Sequence, residues 1–128
     1  MMVRRCALVL FVALIACGPQ DPLRVDTIQL GRSLNPDNSV GQHTTTFKPL
    51  DTMYVSVLTP EKGRATIGVR WTYAGRLVSE PSKDVSYKGP AATEFHIQNS
   101  SGFPPGEYSV EVFLDGQSVG KRDYRVEQ

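Results

Sequence analysis

The sequence predicts an all-β domain, a two-sheet sandwich of about seven short strands, and three observations carry that prediction. Apolar residues alternate with polar ones at period two in several short runs, the signature of strands with one buried face. Segments rich in Gly, Pro, Ser and Asn separate the runs, among them "TPEKG", "SEPSKD", "YKGPAA" and "NSSGFPPG". No window combines sustained helical spacing with caps.

In chain order, short strands are expected at 24 to 30 and, more firmly, at 52 to 58, where Met53, Val55 and Val57 would point inward. Residues 31 to 49 are irregular, a long loop or broken edge strand leading to Phe47, which is expected in the core. The strongest strand runs from 64 to 74. Ala65, Ile67, Val69, Trp71 and Tyr73 occupy its inward phase, with Thr66, Gly68, Arg70 and Thr72 between them. Short candidates follow around 77 to 79 and at 85 to 87, then a strand at 93 to 97 with Phe95 and Ile97 inward. From 107 to 114, Tyr108, Val110, Val112 and Leu114 face in while Ser109, Glu111 and Phe113 face out. Asp115-Gly116 supplies the positive φ angles of a two-residue hairpin. On the return strand Val119 falls out of phase with Tyr124 and Val126, which predicts a bulge near Gly120.

These strands, their regular turn signals and a Trp on a central strand form the pattern of an immunoglobulin-like sandwich. The stretch "PPGEYSVEVFLDGQSVGKRDYRV" resembles the last hairpin of bacterial immunoglobulin-like and fibronectin-III-like envelope domains, in which Pro-Gly, a strand-opening Tyr, alternating aliphatics and a DG turn recur. The resemblance covers about residues 50 to 126. It lacks the paired cysteines of antibody domains, and it implies an architecture without an activity.

The first residues form a separate unit. Arg4 and Arg5 precede an uncharged run from 6 to 16, too short to cross a bilayer core that needs about 20 helical residues. The run ends in "LIAC", which resembles the lipobox of bacterial lipoproteins. That resemblance implies cleavage between Ala16 and Cys17 and attachment of diacylglycerol to the Cys17 sulfur. The expected organisation is therefore a signal peptide at 1 to 16, a lipidated tether at 17 to 23, and an immunoglobulin-like domain at 24 to 128. In enterobacterial lipoproteins an Asp after the lipidated cysteine marks retention in the inner membrane. Gly18 stands there instead, so the resemblance points to the periplasmic side of the outer membrane.

Composition narrows the function. The mature chain would be one domain's worth of sequence, able to bury roughly two-thirds of its unfolded surface. Its formal charge would be close to −1 once Arg4 and Arg5 are removed, and no basic run is present, so a nucleic-acid partner is not expected. His43 and His96 stand alone, without the ligand spacing of a metal site, and the serines lack the G-x-S-x-G frame. No metal, cofactor or catalytic residue is expected.

The expectation is a non-catalytic module of the bacterial cell envelope, contacting another envelope protein or serving a structural role. Two other readings stay open. A carbohydrate binder for peptidoglycan or polysaccharide would need exposed aromatics such as Tyr54, Tyr87 or Trp71 in one plane, although the phase of Trp71 places it in the core. An inhibitor of a periplasmic hydrolase would project Phe103 from its loop. The expected contact surface comes from laying strands 64 to 74, 107 to 114 and 117 to 126 side by side. Their outward residues Arg70, Glu111, Phe113, Asp123 and Arg125 then share a face, with Gly68 leaving a flat spot. An aromatic ringed by arginines suits an interface. The same face read as merely solvated would carry cross-strand ion pairs such as Arg70 with Glu111.

Overall fold

Alternation in two neighbouring strands sets the layering. In the computed structural model, which describes residues 23 to 128, Val55 and Val57 from one sheet meet Ile67, Val69 and Trp71 from the other, all fully buried. The expected signal peptide, Cys17 and the tether up to residue 22 lie outside the described residues. Leu23, which closes the expected tether, is already part of the core.

Nine strands are present among the described residues, β1 (Thr27–Gly31), β2 (Thr46–Phe47), β3 (Met53–Thr59), β4 (Gly63–Tyr73), β5 (Arg76–Ser79), β6 (Ser82–Tyr87), β7 (Ala91–Ile97), β8 (Gly106–Leu114) and β9 (Gln117–Val126). One sheet has the order β1-β3-β7, and the other the order β2-β9-β8-β4-β5 with β6 also paired to β4. All pairings are antiparallel except that of β2 with β9. This is an all-β, immunoglobulin-like sandwich. β5 and β6, both paired to β4, are two parts of one interrupted edge. Pro81 supplies no backbone N–H for a ladder and breaks the segment after β4 into β5 and β6. The Val69 N–H is satisfied there by the Pro81 carbonyl, at 3.0 Å.

The hairpin β8–β9 matches its sequence signal. Asp115 and Gly116 have φ of 49° and 86°, the left-handed pair that a twisted hairpin requires. Val112 pairs with Gly120 but Phe113 pairs with Ser118, so Val119 is the extra residue of a bulge. Gly120 is needed for close approach, because a Cβ there would run into the Ile28 side chain of β1.

The irregular stretch after β1 does two jobs. Its end forms β2 and places Phe47 in the core, edge-on to Tyr124 at 5.2 Å between ring centroids. Its middle folds back over the outer face of the three-stranded sheet. The Ser56 hydroxyl, on that outer side, donates to the Asn38 carbonyl at 2.7 Å, and the Val40 N–H donates to Gln29 Oε1 at 2.9 Å. Ser56 and Val40 are buried as a result.

At the end of the sandwich that holds the β7–β8 loop, tyrosines tie loop to core. Tyr108 opens β8 and donates its hydroxyl to the Pro104 carbonyl four residues upstream, at 2.7 Å, the tyrosine corner of Greek-key sandwiches. It stacks on Tyr124, whose hydroxyl points at Met53 Sδ. Burial pushes the Tyr108 phenol up to about 12, and Tyr124, more deeply enclosed, is raised further.

Candidate contact face

Because β8 lies between β4 and β9, the outward residues of these three strands share one surface. Register places Gly68 opposite Phe113, Arg70 opposite Glu111, Glu111 opposite Lys121, Ser109 opposite Asp123 and Glu107 opposite Arg125. The expected residues therefore form two groups. Gly68, Arg70, Glu111 and Phe113 are immediate neighbours at the centre. Asp123 and Arg125 sit farther down the sheet: Asp123 is level with a residue four positions from Phe113, which at about 3.4 Å per residue is roughly 14 Å away.

Arg70 organises the centre. Its guanidinium lies over the Phe113 ring, 4.7 Å from the centroid, close enough for a cation–π contact. Its Nε donates to Glu80 Oε2 at 2.8 Å. The cross-strand pair with Glu111 expected from the sequence does not form among the ion pairs of this face; Glu111 instead accepts the Ser118 hydroxyl at 2.6 Å. Two bulges explain the exchange: the one at Val119 brings Ser118 opposite Phe113, and a second at Val78, where Thr72 pairs with Leu77 but Trp71 with Ser79, sets Glu80 level with Arg70. Thr66, Gly68, Arg70, Glu80, Pro81 and Phe113 together line a shallow depression. Glu80 and Pro81 are the members that sequence reasoning missed, and the proline inside an edge strand was the available signal. In the second group Arg125 pairs with Glu127 at 3.3 Å. The arrangement offers a stacked cation and apolar ring on a stiff backbone, with acceptors beside them.

The other expected sites stand differently. Phe103 does not project: it is 5% exposed, edge-on to Tyr108, with its N–H bonded to the Pro49 carbonyl at 2.8 Å. The corner that Tyr108 makes with Pro104 lies in the same loop, so the projecting Phe103 that an inhibitor would use is not present. The aromatics named for a sugar platform are dispersed. Trp71 is in the core, Tyr87 is half-buried with its hydroxyl on Thr93, and Tyr54 lies beside His96 on the outer face of the other sheet. His96 Nδ1 is 3.0 Å from Glu94, and His43 bridges to Gly31. No group of three or more His, Cys, Asp and Glu residues suited to a metal occurs among the described residues. The carboxyl of Asp37, lowered by its hydrogen bonds to Ser39, only closes an exposed turn.

No protein-family model matches the chain, and no curated protein matches it. Among solved structures it is similar to an immunoglobulin-like protein from Pseudomonas aeruginosa, with a TM-score of 0.58 and 15% identity, over 86% of this chain and 100% of that one. It is also similar to part of a β-glucosidase from Listeria innocua, with a TM-score of 0.51 and 11% identity, over 81% of this chain and 16% of the enzyme. At such identities the likeness shows the fold, and a fold of this kind is host to many functions.

Proposed function

We propose that this chain is a non-catalytic interaction module of the bacterial cell envelope, held by lipid on Cys17 at the periplasmic side of the outer membrane. It presents the outer face of its larger sheet to another envelope protein. The observation that carries the reading is Arg70 stacked on Phe113 at the centre of that face, beside a depression floored by Gly68. Arginines and aromatics at the middle of a patch are the residues that concentrate binding energy. A fold that resembles free-standing immunoglobulin-like domains is compatible with such a role.

The test has two arms. Cys17→Ala is expected to leave an unlipidated or unprocessed precursor, read by mass spectrometry of the detergent phase; soluble, lipid-free wild type would end the anchoring part. The double substitution Phe113→Ser with Arg70→Ala is expected to lose, in crosslinking from intact cells, a partner that wild type captures. Unchanged partners at unchanged stability would sink the contact face.

A further inference from the structure

The chain enters the fold at one identifiable end of the sandwich. β1 begins beside the end of β3, where Thr27 pairs with Leu58 and the Asp26 N–H bonds the Leu58 carbonyl at 2.9 Å. The β3–β4 turn, the β6–β7 turn and the Asp115-Gly116 hairpin lie at this same end, since Thr59 pairs with Ala91, Gly63 with Tyr87 and Ile67 with Leu114. The β7–β8 loop, the Ala74-Gly75 turn and the last residue of β9 lie at the other end, because Met53 pairs with Ile97, Tyr73 with Tyr108 and Gly106 with Val126. From Leu23, only residues 18 to 22 separate the fold from Cys17. Even fully extended, that span reaches roughly 20 Å.

The charges at this end are arranged unusually. Arg24 is shared between Asp26 and Glu61, at 3.9 Å from each. Lys62 and Lys88 have no such partner among the described residues. They continue the β4–β6 register one step beyond the Gly63–Tyr87 pair, so two exposed lysines flank the same strand ends. Like charges placed opposite each other oppose folding, and their repulsion is relieved by an anionic surface.

We infer that Lys62 and Lys88 dock this end against anionic phospholipid headgroups, which stands the domain upright and turns the β7–β8 loop end away from the bilayer. The inference rests on the proposed lipidation of Cys17. Each basic residue at such a surface favours contact by roughly five-fold, so the lysine pair strongly biases how the short tether is used.

The experiment uses the processed, lipidated protein reconstituted in vesicles of phosphatidylethanolamine and phosphatidylglycerol containing nitroxide-headgroup lipid. With Cys17 blocked by lipid, a Gly89→Cys or a Ser101→Cys variant carries one free thiol for a fluorophore. Gly89 is suited because a side chain there meets nothing within 4 Å. The label at 89 is expected to be quenched several-fold more than the label at 101. Lys62→Ala with Lys88→Ala, or replacement of the anionic lipid by phosphatidylcholine, is expected to cut the docked population by more than ten-fold while the protein stays on the vesicle. Equal quenching at both positions, or indifference to the lysines, would overturn the docking while leaving lipidation intact. Failure of the protein to carry lipid at Cys17 overturns the anchoring itself, and the docking with it.

Discussion

The two sheets of this sandwich treat their outer faces in opposite ways. On the three-stranded sheet a loop from 33 to 41 lies across the outer side, burying Ser56 and Val40 and satisfying Gln29 and Ser56 with backbone partners. On the larger sheet no loop among the described residues covers Arg70, Glu111 and Phe113, and the polar groups there satisfy one another. The covered face contributes to stability because it excludes water. The bare face is stiffened by its own side chains, at small cost to folding if they change, and is therefore free to vary toward a partner. On the proposed reading, stability and contact are divided between the two outer faces, with one core serving both.

Substitutions can break that division or sharpen it. The largest effect belongs to what the faces share: Trp71→Ala is expected to lower stability by about 3 to 5 kcal/mol in urea unfolding, since it empties the centre of the core. Alkali attacks the same core from the tyrosines. A phenol whose proton is held more tightly folded than unfolded contributes stability that is complete below pH 10 and is lost as the pH rises toward the folded value, about 12 for Tyr108. A near-ultraviolet titration should show cooperative unfolding above pH 10, and reversible, independent titration of Tyr108 at its ordinary value would contradict its burial. On the covered face, Val40→Asp is expected to cost about 2 to 4 kcal/mol by placing a carboxylate under the loop. On the bare face, Phe113→Ser with Arg70→Ala should change stability by less than about 1 kcal/mol. If that pair costs as much as Val40→Asp, the bare face is structural and the division fails.

The comparison also explains what the sequence disclosed. Alternation in 65 to 73 and 108 to 114, the Asp115-Gly116 turn and the phase slip at Val119 are local signals, and each corresponds to an element in the structure. The composition of the bare face was legible for the same reason, because strand phase alone assigns Arg70, Glu111 and Phe113 to one side. The covering loop was not legible. Its apolar residues, Leu34 and Val40, are isolated and in no strand phase, and it covers the sheet through main-chain atoms of Asn38 and Val40 that no side-chain pattern reports. The partner of Arg70 was missed because Glu80 lies just past the end of β5, and its level on the sheet depends on the one-residue bulge at Val78, which side-chain alternation does not report. Whether Phe103 projects was left open by its place among turn residues, and it is buried beside Tyr108, whose hydroxyl bonds the Pro104 carbonyl of the same loop.

Trp71 is the only tryptophan of the chain, fully buried, with its indole Nε1–H without a partner among the described residues and Tyr124 edge-on at 6.4 Å. An indole fully shielded from solvent relaxes little after excitation, so the folded protein should emit at short wavelength. The surrounding tyrosines should pass their excitation to it. Unfolding would shift the emission to the red and release tyrosine fluorescence at once. The fold thus carries its own optical reporter, placed where both sheets meet and on the opposite face of β4 from Arg70, so stability can be followed without a label on the surface under test.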